Sequence, residues 1–345
     1  MVGVCSGLPS GETSVTTLLA HNYYGSSAPS GENLVFEGEV DLLRRQGVSV
    51  KAWTAHSDWL RERGVLGLLV GGIVAPWNFR AAAEIRRMGV EDPFHVLHVH
   101  NTFPLFSPSI FWSAGSRAAR VLTLHNYRLF CAAGIPMRDE RVCTDCLIQR
   151  SAWPGLRHGC YRASRLATVP LSVSIELHRR VGTWSKQVDA YIALSEFQKE
   201  MMIGAGLPRE LVHVKPNFYP GDPAVTPWAC RDEAAVFAGR LSEEKGVGFL
   251  VRAWREWGPS APELRIVGDG PLRAELEREA GGCRVRFLGQ MPAAGAVAEI
   301  AKAKLLLLPS VCFEGFPMTI REALAHGTPC AVSNLGPLPS IVKNG

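Results

Sequence analysis

Glu314 and Glu322 stand eight positions apart in the stretch EGFPMTIREALAHGTP. Pro317 opens a helix that stops by Gly327. The first backbone N–H groups of such a helix lack partners within it, and the peptide dipoles make that end positive. Phosphate is a natural guest there, and Gly315 allows the backbone to approach it closely. Glu322 lies inside the helix, where its carboxylate can accept hydrogen bonds from sugar hydroxyls. Glu314 lies in the preceding loop. The plain alternative is a capped helix with two surface acids. Arg240 and Lys245, in GRLSEEKG, sit between a strand end and the next helix. They suit either a solvated turn or an anion-binding edge.

These residues need a frame to converge. Short apolar runs mark strands at 14–20, 48–53, 95–100, 120–125, 190–194 and 212–215. A second series falls at 234–239, 264–268, 285–289, 304–309 and 329–333. Runs so rich in Val, Ile and Leu suit strands covered on both faces of a parallel sheet. Helical patterns alternate with them, as at 34–47 and 271–282, which predicts crossover units. The series breaks at NFYPGDPAVTPW, 217–228, where three prolines exclude regular structure. The expectation is an α/β protein of two doubly wound domains, 1–218 and 219–345, facing each other across a cleft. Ligands bind such sheets at the carboxyl ends of the strands. His125 ends one of these strands and faces the expected cleft.

The motifs GRLSEEKG, IVGDGP, FLGQMP and PSVCFEGFPMTIREALAHGTPCAVS occur in that order. Together they resemble the donor-binding half of family 4 glycosyltransferases, whose fold, GT-B, pairs two Rossmann-like domains. The resemblance implies a donor that is a nucleotide-diphosphate sugar. Arg240 and Lys245 would neutralise its diphosphate, Gly289 and Gln290 would lie against the base, and Glu322 would bind the ribose. Glu314 and the backbone of Gly315, Phe316, Pro317, Met318 and Thr319 would hold the transferred sugar and the phosphate. His125 would touch the donor sugar or support developing charge, and Gly31, His100 and Asn101 would serve the acceptor side. Gly31 and Glu32 stand where the family usually has a glycine pair. Against the family pattern the chain stops early, and Ser340 stands where a glutamate is common, so the second domain is expected to be incomplete.

The implied reaction is transfer of a sugar to an acceptor hydroxyl with retention of configuration, in polysaccharide, glycolipid or other glycoconjugate synthesis. No catalytic cofactor is expected. The chain contains no Asp-x-Asp pair, so cations and helix dipoles must offset the diphosphate charge. The alternatives are a degenerate or truncated nucleotide-sugar-binding protein, or an epimerase or hydrolase of nucleotide-sugars.

Two further segments carry chemistry. Cys131, Cys143, Cys146 and Cys160 follow the pattern C-x11-C-x2-C-x13-C, which suits a structural zinc, four reduced thiols or disulfides. The resemblance extends to a family subgroup with such an insertion. Residues 61–89 set arginines on either side of an apolar stretch with Trp77 and Phe79. This is either a buried helix with a basic outer face or a patch that meets anionic membrane and a lipid-linked acceptor; a free sugar or other small acceptor also fits the family.

Composition bounds these readings. The chain has 345 residues, 47% of them hydrophobic, with a net charge of +5. That is a soluble globular composition, and the charge is too mild to suggest nucleic acid. The N-terminus has no basic residue ahead of a long apolar run. The expected location is cytoplasmic, with peripheral contact at the inner membrane face.

Overall fold

The computed structural model describes residues 15–24 and 30–343. The core of the glycine- and serine-rich loop after the first strand, 25–29, and Cys5 lie outside these residues.

Eight strands belong to the first part of the chain: β1 Thr16–Tyr23, β2 Ser49–His56, β3 Val96–Asn101, β4 Ala119–Leu124, β5 Met137–Arg138, β6 Arg141–Val142, β7 Ala190–Ala193 and β8 Val212–Val214. Six form a parallel sheet in the order β2-β1-β3-β4-β7-β8. The other two, β5 and β6, pair as a short antiparallel hairpin inside the cysteine-rich segment. The second part contributes β9 Asp232–Ala238, β10 Glu263–Val267, β11 Val285–Gly289, β12 Ala303–Leu308 and β13 Cys330–Val332. They form a second parallel sheet in the order β11-β10-β9-β12-β13.

The apolar runs form strands because both faces of each sheet are covered. In β9, Val236 and Phe237 are both fully buried yet join different cores. Adjacent strand residues point to opposite faces. Phe237 packs with Val251, Trp254 and Ile266, while Val236 packs with Ile300, Leu306 and Ile320. In β1, Leu18, Leu19 and Ala20 are all fully buried for the same reason. Each such leucine contributes roughly 1.5–3 kcal/mol by leaving water.

The proline-rich connection is pinned at both ends. Asn217 Nδ2 donates to the Phe316 carbonyl at 3.1 Å, and Arg321 donates to the Phe218 carbonyl at 2.6 Å. The buried Arg231 guanidinium donates to the carbonyls of Thr226 and His326. The connection thus runs along the second sheet's last helices, next to the loop that carries Glu314.

Residues 61–89 separate the two readings of that segment. The helix Gly64–Val74 buries Gly67 and Gly71. A side chain on Gly67 would collide with the Leu60 carbonyl, 1.8 Å away. The large residues face outward: Val65 and Ile73 are 75% exposed, and Leu66, Leu68 and Leu69 about 60%. The buried-helix expectation is therefore corrected. An almost wholly apolar helix has no polar face to set its orientation, and here close backbone packing turned its glycines inward. No single described helix is long and apolar enough to cross a membrane.

Candidate active site

All candidate residues outside the cysteine segment sit at or just beyond strand carboxyl ends, or on the helices that follow. Asn101 ends β3, His125 follows β4, and the helix Gly31–Arg45 follows β1. In the second sheet Arg240 follows β9, Gln290 follows β11, and the Glu314 loop and helix Met318–Ala325 follow β12. The two sets meet. A side chain on Gly315 would lie 3.3 Å from the His125 carbonyl oxygen and 3.3 Å from Leu194. One on Gly31 would lie 3.0 Å from Met318. The mouths of two helices, one from each domain, thus face each other. Neither has a side-chain cap: the capping positions are Ser30 and Pro317, and neither side chain accepts a bond from its helix. The free N–H groups of both first turns remain available to an anion.

The cations behave differently from one another. Arg240 is exposed, and its side chain makes no hydrogen bond or ion pair among the described residues. Lys245 lies on a 3-10 turn, Glu243–Lys245, closed by Gly246 at φ +66°. Any side chain at Gly246 would strike the Pro309 carbonyl, 2.0 Å away, so the lysine turn packs directly on the end of β12. Lys245 Nζ contacts Glu314 Oε1 at 2.7 Å, and Ser310 Oγ donates to the same oxygen at 2.6 Å. Burial opposes the Lys245 charge, but the Glu314 carboxylate, together with Cys312 and Glu244, outweighs it and raises the lysine's pKa. The sequence motifs assign these two residues separate contacts, phosphate for one and sugar for the other. In the fold they are one half-buried ion pair. The sequence held no signal for this, because 69 positions separate them.

Glu322 lies on the inner side of its helix and is 7% exposed. Burial raises its carboxyl pKa, against the lowering effect of Arg321, whose Nη2 lies 3.4 Å from it. Gly289 ends β11 in the left-handed region, φ +73°, beside Arg273. Gln290 is exposed next to it. Phe316, Met318 and Thr319 are half-buried, and Pro317 is buried.

On the first-domain side His100, Asn101 and His125 line one cavity, with Asn126 and Arg128. The His125 Nε2 and His100 Nδ1 atoms are 3.0 Å apart. Burial pushes the His125 pKa down to about 3 and that of His100 well below its ordinary value. Both rings are therefore neutral near pH 7. The His100 side chain has no exposed surface, so it can meet an acceptor only through His125. Glu32 accepts from Asn126 Nδ2 at 2.8 Å and lies 3.5 Å from Asn101 Nδ2. Burial raises its pKa, with Asn126 and Arg128 acting the other way. Behind these rings stand two residues the sequence reading passed over, Glu39 and His98. Their signal was present: Glu39 falls in phase with the buried Val35, Phe36 and Val40, and an acid on an apolar helix face needs a partner.

Cys131, Cys143, Cys146 and Cys160 are all free thiols and line one small cavity with Arg138 and Gly155. Burial pushes the Cys146 thiol up to about 12, and the other three thiols add to the shift. Among the described residues, the group of potential ligands with atoms all within 4.8 Å of one another is Glu39, His98 and His100. The cysteines are more loosely gathered.

Comparison with known proteins decides the family. The model of Glycosyltransferase Family 4 matches residues 39–220, and that of Glycosyl transferases group 1 matches 232–345. The chain belongs to glycosyltransferase family 4. This family 4 chain is 38% identical over 110 residues to a GDP-mannose-dependent alpha-(1-6)-phosphatidylinositol dimannoside mannosyltransferase of Mycobacterium tuberculosis, covering 31% of the chain and 29% of the relative. It is 33% identical over 171 residues to a lipopolysaccharide 1,6-galactosyltransferase of Salmonella typhimurium, covering 46% of each. The matches thus span less than half the length of these curated relatives. Among solved structures, the chain resembles Anabaena Alr3699/HepE in complex with UDP and glucose, with a TM-score of 0.58 and 18% identity over 96% of this chain and 84% of that one. The apo lipopolysaccharide outer core galactosyltransferase WaaB gives a TM-score of 0.57 at 18% identity, over 95% and 84%. These likenesses carry the fold: two Rossmann-like sheets in the GT-B arrangement.

Proposed function

We propose that the chain transfers a sugar from a nucleotide-diphosphate sugar to an acceptor hydroxyl, with retention of configuration and without a catalytic metal. One observation carries this reading: two uncapped helix mouths, Lys245 and Arg240 gather at the strand ends that face His125. Four sources of positive potential at one edge suit a diphosphate. The relatives named for GDP-mannose and the structure holding UDP and glucose support the donor class, and differ on the base.

The absence of an Asp-x-Asp pair supports a metal-free site. Glu314, the carboxylate of the loop before the second helix mouth, is held by Lys245 and Ser310 and is not free to act as a nucleophile. A front-face step follows. The bond between the sugar's anomeric carbon and the phosphate oxygen breaks, and the acceptor oxygen bonds to the same face. The acceptor proton passes to the departing phosphate. Lys245 and the helix mouths stabilise the charge that develops there.

A lipid-linked acceptor at a membrane surface belongs to the same proposal. Along the chain the outward leucines of Gly64–Val74 fall between Arg61 and Arg63 on one side and Phe79, 78% exposed, on the other. Apolar residues edged by arginine suit an anionic interface. We read the four cysteines as a structural zinc site that stiffens this acceptor half. Their common cavity and the lack of disulfides among them support it. The test is a product assay with a panel of nucleotide-sugars, with and without acceptor and with chelator. Acceptor-dependent product with retained configuration, unaffected by chelator, is expected. Donor hydrolysis alone, or binding without turnover, would defeat the proposal. Flotation with anionic vesicles tests the surface: Leu66→Ser with Leu69→Ser should abolish binding at unchanged Tm. One zinc per chain by elemental analysis is expected at the cysteines, and none would remove that site.

A further inference from the structure

A buried polar chain runs from Lys215 to His125. Lys215 Nζ donates to Glu39 Oε2 at 3.1 Å. The Glu39 side chain, 9% exposed, lies between two rings, with His98 Nδ1 at 3.5 Å and His100 Nε2 at 3.8 Å. The far nitrogen of each ring is also engaged: His98 Nε2 meets Thr123 Oγ1 at 2.8 Å, and His100 Nδ1 meets His125 Nε2 at 3.0 Å. His100 Nε2 is buried with no partner closer than the carboxylate. His125 Nδ1 has no hydrogen bond among the described residues, and its ring is half-buried on the cavity wall.

We propose that Glu39 acts as a positioning residue: through His100 it fixes the tautomer of His125, so that His125 Nδ1 is a hydrogen-bond acceptor. Two neutral imidazoles sharing one contact hold one proton between them. If His100 Nδ1 carried it, the His100 Nε2 lone pair would face the Glu39 carboxylate, lone pair against anion. If His125 Nε2 carries it, His100 Nε2 holds its own proton toward the carboxylate. The carboxylate therefore selects the second arrangement. His98 obeys the same rule, with its Nδ1–H toward Glu39 and its Nε2 accepting from Thr123. Orientation of one imidazole by a carboxylate beyond it is a general device for setting which nitrogen reacts.

The consequence is directional. His125 Nδ1 accepts from an O–H group and donates nothing, so it suits a sugar hydroxyl rather than a carbonyl or phosphate oxygen. This last step rests on the proposed sugar transfer; the tautomer does not. A different occupant would give the opposite result. A metal ion held by Glu39, His98 and His100 takes the lone pair of His100 Nε2, moves the His100 proton to Nδ1, and leaves His125 Nδ1 protonated. The groups facing these rings are His21 and Glu39 from the first strand and helix, His98 on β3, and Lys215 after β8.

The decisive measurement is the histidine 1H–15N correlation spectrum of the intact protein near pH 7, with His125 assigned through His125→Gln. The proton is expected on Nε2 of His125 in the unsubstituted chain. Glu39→Gln, whose amide oxygen can accept from His100, should keep that pattern. Glu39→Leu should give mixed tautomers, and kcat should fall at least tenfold and recover in Glu39→Gln. A proton on His125 Nδ1, an unchanged spectrum in Glu39→Leu, or a stoichiometric metal beyond the zinc at the cysteines would each overturn the proposal. The first observation needs no turnover.

Discussion

The two walls of the cleft handle charge in opposite ways. The second-domain wall carries formal charges, exposed or paired: Arg240 exposed and unpaired, Lys245 against Glu314, Arg321 beside Glu322. The first-domain wall buries its histidines and keeps them neutral, with His21, His98, His100 and His125 all held below their ordinary pKa by burial. A wall that grips an anion must supply charge, and it tolerates that charge because solvent and paired acids share the cost. A wall that steers hydroxyls needs direction more than charge, and neutral hydrogen bonds in a dry core supply it.

The largest expected effect comes from the charged wall. Lys245→Ala removes a cation from the phosphate edge and leaves Glu314 half-buried without its partner. Turnover should fall about a hundredfold, since a charge-assisted contact is worth roughly 1.5–3 kcal/mol and the orphaned acid adds to it. Arg240→Ala removes one exposed contact and should cost about tenfold in turnover, with Tm unchanged. Steady-state kinetics and melting curves on both variants check this. Near-normal rates in both would remove the phosphate assignment.

The neutral wall should reveal itself in acid. The folded pKa of His21 lies near 4, below the ordinary 6.5, and those of His98 and His100 are lowered in the same direction. His178, buried elsewhere in the first domain, also lies near 4. Below about pH 6.5 the unfolded chain takes up protons that the native rings refuse, so stability falls as pH drops toward 4. Each ring contributes up to about 1.4 kcal/mol per pH unit in that window. Urea titrations from pH 7 to pH 4.5 should show a steep loss, reduced in His178→Gln. A flat profile would mean that these rings are not held neutral.

A smaller effect sharpens the contrast within the charged wall. The Glu322 carboxyl has a raised pKa, so its favourable contribution is complete at low pH and is lost as pH rises through the folded value. Glu322→Gln should therefore gain roughly 2 °C in Tm at pH 8 relative to any gain at pH 4, while donor affinity falls. Equal Tm differences at the two pH values would contradict the raised pKa.

Sequence reading and structure agree element by element where one physical rule dominates. All eleven apolar runs are strands of parallel sheets, because a run that must hide on both faces has few other places to go. They disagree where orientation is free. The helix Gly64–Val74 could bury its leucines or its glycines, and periodicity is silent when every face is apolar. The hairpin at 137–142 is missing from the sequence reading for another reason: its two-residue strands are too short to show alternation.

The sequence alone determined which residues lie at strand ends, and hence that Arg240, Lys245, His125 and Glu314 border one cleft, because parallel crossover units place every such loop on the same edge. It also carried the family, through motifs local in the chain. Tertiary structure alone decided the pairings across that edge: Lys245 with Glu314, Gly31 against Met318, and Glu39 behind His100. Those contacts span from 61 to 287 positions. No local propensity encodes them; they follow from how two sheets twist and where their helices come to rest.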